Sequence, residues 1–344
     1  MQGCKVMPSV RVAVLVFDKG YHVGWREPKR IVDHTTILRA LIYTAYLTGS
    51  ERCVELVIRG ELEASALLPM TTVGKELRLL APFPKIPCLG KAARIRSTFI
   101  TLSTLKQVMD FVTKCTSAKG VPIVQEVQTD RIAINCTSSA VKPLELKRVK
   151  GVACVDGECS EIAPHIPEEL FTFVTEYRNR IDRLSGSADV YEVYGVKPFT
   201  PLWLALRGSE EAIKCSLNLL EALQKFGIGG LRSRGWGRFR LELGLAIRSE
   251  DLEVLTKFSG WVQGYNYTLG FMTPGKWMDF ASSYATREVV MGRSGPSINE
   301  YKLPLVYVMD IGSVVYAKDI PKPHALHIDD GRAVLLFNPV VIHA

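Results

Sequence analysis

Residues 200–243 read TPLWLALRGSEEAIKCSLNLLEALQKFGIGGLRSRGWGRFRLEL, which parses into strand, helix, glycine-rich turn and strand. Thr200 to Leu206 is apolar and strand-like, and Ser209 then offers a hydroxyl cap for a helix. Ile213, Leu217, Leu220 and Leu223 recur at helical spacing through Ser209 to Phe226, giving that helix one apolar side. Beyond the glycines, Phe239, Leu241 and Leu243 alternate with Arg238, Arg240 and Glu242, the two-residue period of a strand with one buried face.

The N-terminal part supplies a matching half. Val10 to Phe17 is a buried strand, followed by a polar loop from Asp18 to Asp33. Ile37, Leu38, Leu41, Ile42, Ala45 and Tyr46 then share one helical face, with Asp33 or Thr35 as the cap and Gly49 as the stop. Cys53 to Ile58 predicts a second strand. With residues 60–186 set aside as an insertion, the order is β, α, β, β, α, β, the ferredoxin-like pattern that is also the RRM framework.

The insertion holds Pro82, Pro84 and Pro87, a short helix near Leu105 to Lys114, a strand pair around Ile123 to Cys136, and a helix from Pro167 to Asp182. After Arg248 come a short helix and then strands, including Leu305 to Met309, Ser313 to Tyr316 and Ala333 to Phe337. The fold class is therefore α+β. A ferredoxin-like (RRM-like) domain with a long insertion spans 1–248, and a second, β-rich domain, itself open to a ferredoxin-like reading, spans 249–344.

At 344 residues, with 47% apolar and 23% charged side chains, the chain has the composition of a folded globular protein rather than a disordered or collagen-like one. Neither an export signal nor a membrane span is expected. The net charge of +8 favours a polyanionic partner without naming one, and the charge is patchy. Lys75 to Arg96 carries six basic residues against one acid, and Arg232 to Arg240 carries four arginines and no acid.

The eight cysteines show no zinc-type spacing, so no metal and no cofactor is expected and a reduced intracellular setting is the default. Asp156-Gly157 within Val152 to Ile162 is a hairpin signal that would set Cys154 opposite Cys159, close enough for a disulfide. Two reduced packing cysteines remain the expectation unless the source is a hyperthermophile.

The chemistry concentrates in Gly227-Ile-Gly-Gly-Leu-Arg-Ser-Arg-Gly-Trp-Gly-Arg238. It follows a helix and opens a strand, the reverse of a Walker or Rossmann context, so a nucleotide-hydrolysing reading fails on topology. Gly227, Gly229, Gly230, Gly235 and Gly237 permit close backbone approach and N–H groups turned toward phosphate oxygens. Arg232, Arg234 and Arg238 supply charge, Ser233 a hydroxyl, and Trp236 a stacking face. A solvated glycine-rich connection is the competing reading.

The helix running into GIGG-x-RS-x-G-x-GRF resembles the glycine-rich loop of the RAMP superfamily of CRISPR effector proteins, which are built on ferredoxin-like folds. Tyr21-His-Val-Gly and Asp33-His-Thr-Thr-Ile-Leu-Arg-Ala-Leu are similar to motifs of the subunit that caps the crRNA 5′ handle in type III-A Csm complexes. Arg178-Asn-Arg-Ile-Asp-Arg-Leu-Ser-Gly with Tyr191-Glu-Val-Tyr resembles that subunit's most discriminating block. Ser65 to Pro69, the three prolines and Asp310-Ile-Gly-Ser-Val-Val match further pieces in the same order. Asp33-His34-Thr35-Thr36 replaces the usual Ser-Asp-Thr, and a type III-B or III-D counterpart stays open.

The resemblance implies a non-catalytic, cytoplasmic RNA-binding subunit in antiviral defence. It would grip the crRNA 5′ handle and bridge the large polymerase-like subunit and the backbone RAMP subunit. The implied RNA contacts are the glycine loop together with His22, Lys29, Arg30, Arg178, Asn179 and Arg183. The alternative is a metal-independent crRNA-processing endoribonuclease, for which His22 and His34 are the candidate bases, His22 followed by Trp25 and Arg26. Asp182 could instead pair with an arginine of its own block, and Asp329-Asp330-Gly331 reads as a turn.

Overall fold

Ser9–Phe17 forms β1, in which Ala13, Leu15 and Phe17 face one way and Val12, Val14 and Val16 the other. The computed structural model describes residues 8–24, 28–89, 95, 97–181, 183–291, 304–328 and 333–344. Trp25, Arg26, Asp182 and Asp329-Asp330-Gly331 lie outside the described residues. Helix α1 (His34–Thr48) begins at Asp33, whose carboxylate accepts the Thr36 amide at 2.9 Å, and ends at Gly49 with φ of 67°.

Helix α2 (Glu51–Ile58) follows where the apolar run predicts a strand. The helix wins because Glu55 sits three residues after Arg52 and four before Arg59, pairing with both at 3.2 and 3.7 Å, while Val54 and Val57 turn inward. The second strand of the fold comes instead from β2 (Leu62–Ala64) and β3 (Leu68–Val73).

The segment read as an irregular insertion is largely regular. It contains β4 (Glu76–Pro82), β5 (Cys88–Leu89), β6 (Phe99–Thr101), α3 (Leu102–Ser117), β7 (Pro122–Gln128), β8 (Arg131–Cys136), β9 (Leu144–Val149), β10 (Val152–Cys154) and α4 (Asp156–Ile162). Next come β11 (Phe171–Ile181), β12 (Ala188–Pro198), β13 (Leu202–Gly208), α5 (Glu210–Phe226) and β14 (Phe239–Leu243). The main sheet runs β14-β1-β13-β3-β4-β6-β10-β9-β8-β7-β5, with β2 also on β13. Its first four positions are the fourth, first, third and second strands of a ferredoxin-like unit, and β4 carries the same sheet onward.

Two local expectations are corrected. β11, paired with β12 along its whole length, replaces the helix predicted over Pro167 to Asp182. Its sequence FTFVTEYRNRI is rich in β-branched and aromatic residues that favour an extended chain. Asp156-Gly157 opens α4 instead of turning a hairpin, with the Asp156 carboxylate at the positive end of the helix.

Cys154 and Cys159 nevertheless meet, and they are bonded, because the first turns of α4 bring Cys159 back over the end of β10. Cys53 of α2 is bonded to Cys215 of α5, and Cys115 of α3 to Cys136 of β8, with Cα separations of 5.5 and 5.6 Å. The expectation of a reduced set is overturned by tertiary proximity, which no Cys spacing encodes.

The C-terminal part contains α6 (Ser249–Lys257), β15 (Gly264–Thr268), β16 (Met278–Tyr284), β17 (Arg287–Val290), β18 (Val306–Met309), β19 (Val314–Ala317), β20 (His324–Ile328), β21 (Ala333–Phe337) and β22 (Val341–His343). A sheet of order β16-β19-β15-β22 forms, with β17–β18 and β20–β21 as separate pairs. Among the described residues no helix is long and apolar enough to cross a membrane.

The ferredoxin-like sheet is covered on both faces. Ala13, Leu15, Leu204 and Leu206 pack with Ile37, Leu38 and Leu41 of α1 and Leu220 and Leu223 of α5. On the other side Val14, Trp203 and Ala205 join a core with Val254 and Leu255 of α6 and Tyr267 and Leu269. The second face is the one an RRM leaves open for stacked bases. Here it is core.

Part of the basic segment 75–96 is structural. Arg78 is buried and pairs with Glu158, which also accepts from Thr101, Ser103 and Thr104 at 2.7–2.8 Å. Asp251 of α6 accepts the Leu79 and Ser103 amides at 2.9 and 3.2 Å, and Lys85 pairs with Asp310 at 2.9 Å.

Candidate nucleic-acid interface

Gly227 closes α5 with φ of 79°, donating its amide to Leu223 at 2.7 Å. The loop is then stitched onto residues 20–22. The Ile228 amide reaches the Gly237 carbonyl at 2.9 Å, the Gly237 amide reaches Gly20 at 2.7 Å, and the Gly230 amide reaches His22 at 2.8 Å. A Cβ on Gly237 (φ 75°) would stand 1.9 Å from the Ile228 carbonyl oxygen, and one on Gly229 (φ 84°) 2.4 Å from that of His22. These glycines therefore serve close packing of the loop on the protein, and several of the amides expected to face phosphate are used internally.

What the stitching presents is one tight turn. Arg232–Arg234 is a single 3₁₀ turn, entered through Leu231 (φ 58°) and left through Gly235 (φ 82°). Ser233, Arg234 and Arg238 are exposed and Arg232 is half-buried. The Arg232 guanidinium lies 5.3 Å from the ring centroid of Tyr43 on α1, and that of Arg234 lies 5.4 Å from Tyr191 on β12.

Trp236 is corrected from a stacking face to a core plug. Its ring is fully buried, so closely against β12 that a Cβ on Gly195 would lie 1.9 Å from it, and Lys19 Nζ sits 4.9 Å from the ring centroid.

Near the loop, His22 Nδ1 hydrogen-bonds the Tyr194 carbonyl. A carbonyl only accepts, so Nδ1 is the donor in this contact. Tyr21 hydroxyl donates to the Arg30 carbonyl, and burial pushes its pKa up. Lys29 is partly occupied, paired with Glu288 at 3.2 Å and 5.3 Å from the Phe271 centroid, while Arg30 lies 5.1 Å from Phe173.

The strand period splits the Arg-Asn block. Arg178 stands opposite Tyr191 on the hairpin face that meets the loop and pairs with Glu176 at 2.5 Å, itself held by Lys19 at 2.6 Å. Asn179, on the opposite face, and Arg183 near the tip are exposed. The loop, His22 and Arg178 are thus brought together, whereas Asn179 and Arg183 stand apart. Tyr43 and Tyr191 beside the turn were missed as site residues, since nothing in their spacing links them to the glycines.

His34, a candidate base, is fully buried at the start of α1, where Nδ1 accepts the Phe271 amide at 3.2 Å. It cannot reach a phosphate. Burial lowers its pKa to about 4 from 6.5, against the opposing pull of Asp33. A group depressed on folding contributes stability above its unfolded pKa and loses it as pH falls, here from about 6.5 to about 4. Asp251, pushed up to about 6 by burial, has the opposite sign, its contribution fading as pH rises through 6. We therefore expect His34→Asn, which keeps an acceptor for Phe271, to flatten the acid-side loss seen in urea melts at pH 7 and pH 4.5. Equal pH dependence in both proteins would show that His34 is not buried neutral.

No protein-family model matches the sequence, and neither does any curated protein. Among solved structures, the chain matches one from the Csm3–Csm4 subcomplex of a type III-A CRISPR–Cas interference complex. TM-score is 0.58 at 15% identity, covering 96% of this chain and 98% of that one. The chain shares the fold of that subcomplex chain over nearly its whole length. A chain of a type III-B Cmr-β complex, solved with cognate target RNA and AMPPnP, also matches, at 12% identity and a TM-score of 0.43, covering 89% of this chain and 85% of that one. Within this fold, the arginine turn sits where the second helix of the ferredoxin-like unit hands over to its edge strand β14.

Proposed function

We propose that the chain is a non-catalytic RNA-binding subunit of a type III CRISPR effector ribonucleoprotein, working in the cytoplasm. In this reading it caps the crRNA 5′ handle and bridges the large polymerase-like subunit and the backbone RAMP subunit. The observation that carries it is the turn Arg232-Ser233-Arg234, held out from the body by a loop whose glycines are spent on fixing its position. With the RRM-type sheet face buried, this turn and the neighbouring hairpin are the surface that suits an RNA backbone.

Arg232→Ala, Arg234→Ala and Arg238→Ala should each weaken binding of handle-containing RNA. Each should flatten the slope of log K against log salt by about 0.7, the increment for one phosphate contact on a single strand. Melting temperature should hold, because these side chains reach solvent. The same incubations read by gel should leave repeat RNA intact. Unchanged affinity and slope in all three variants would remove the RNA site from this loop. Specific cleavage lost in His22→Ala would put the endoribonuclease reading first.

A further inference from the structure

Arg232 and Arg234 occupy the same 3₁₀ turn two residues apart. At three residues per turn their side chains leave the backbone about 120° apart, so the turn alone cannot aim both at one ligand. Each is met by an aromatic ring from a different element. Tyr43 comes from α1 on one side and Tyr191 from the protruding hairpin on the other, and both rings are only partly exposed.

We infer that Tyr43 and Tyr191 are positioning residues that hold the Arg232 and Arg234 guanidinium groups for an RNA phosphate, an inference resting on the function proposed above. A guanidinium attracted to the negative face of a ring is held in place while N–H donors remain for a ligand. Such donors make the paired hydrogen bonds to phosphate oxygens. An arginine without such a contact has to be ordered on binding, so the rings remove an entropy cost from association. They add no charge. The two are therefore separable from the arginines by salt dependence.

The hairpin ring is further backed by its own strand pair. Tyr191 faces Arg178, which Glu176 holds, and Glu176 is held in turn by Lys19. The α1 ring stands on a helix pinned at both ends by the Asp33 cap and Gly49. Both platforms are regular secondary-structure elements, whereas the turn itself is a loop.

The test is a double-mutant cycle on the full chain, with a labelled synthetic single-stranded RNA of the handle sequence as probe. Tyr43→Leu should bind about two- to fivefold more weakly, the loss expected for one exposed cation–π contact, with the salt slope unchanged. Tyr43→Phe should bind as the wild type does, since it keeps the ring. In an Arg232→Ala background Tyr43→Leu should have no further effect, and Tyr191→Leu should behave in the same way with Arg234→Ala.

A full additional loss in the arginine-less background would mean that the tyrosine touches RNA itself, and would overturn the inference. Wild-type binding by Tyr43→Leu and Tyr191→Leu, with weakened binding by the arginine variants, would overturn it while leaving the proposed function standing. Arginine variants without effect would overturn both. Should Tyr43→Leu fail to fold, Arg232→Lys keeps the charge and gives up the planar guanidinium. It should lose the same two- to fivefold with the slope retained, and wild-type affinity there would refute the positioning role.

Discussion

Trp236→Ala should cost about 3 to 5 kcal/mol of folding stability, the range for emptying a buried large aromatic site. The ring fills the space between Gly195 of the hairpin, the glycine loop and Lys19, and it is fully buried. Its removal therefore loosens the base of the hairpin and the seat of the arginine turn together. Urea melts followed by tryptophan-independent circular dichroism would measure the loss, and RNA binding should fall with it. Trp236→Phe should keep part of both. If Trp236→Ala proves as stable as the wild type while RNA affinity drops, the ring is a base-stacking surface and the burial described here is wrong. Gly195→Ala should reproduce a share of the defect from the opposite side, because its new methyl would collide with the ring.

Breaking Cys53–Cys215 should cost about 2 to 5 kcal/mol, since the bond joins residues 162 apart and closes a long loop in the unfolded chain. It ties α2 to α5, the helix that leads into the glycine loop, beside the Arg52–Glu211 pair at 3.0 Å. Thermal melts of Cys53→Ser with Cys215→Ser, against the wild type without reductant, read the difference. Non-reducing peptide maps should show 53–215, 115–136 and 154–159. Free thiols at all six positions in protein purified without reductant would refute the set.

Much of the ferredoxin-like frame was legible because it is written in local patterns. The Asp33 and Ser209 caps, the Gly49 stop, the helical spacing of Ile213, Leu220 and Leu223, and the strand period after Arg238 are each readable within a few residues. Errors fell where local signals were ambiguous. Cys53 to Ile58 suits either helix or strand by its apolar run, and only the Glu55 pairs and the packing on α5 choose the helix. Asp156-Gly157 serves a turn or a helix start equally well. Pro167 to Asp182 predicts a helix, whereas the β-branched and aromatic residues of β11 make a strand that sets Arg178 and Asn179 on opposite faces.

By itself the sequence determined the order of the ferredoxin-like elements and the concentration of glycine and arginine at one loop, since both depend on neighbours within a turn or a strand. Tertiary structure alone decided what those residues face. It buried Trp236 and His34, turned the glycine amides inward, closed the sheet face under α6 and Tyr267, and set Tyr43 and Tyr191 on either side of the arginine turn. The physical reason is that burial, ion pairing and ring contacts depend on chain segments distant in sequence arriving at the same place, and short-range spacing holds no record of that.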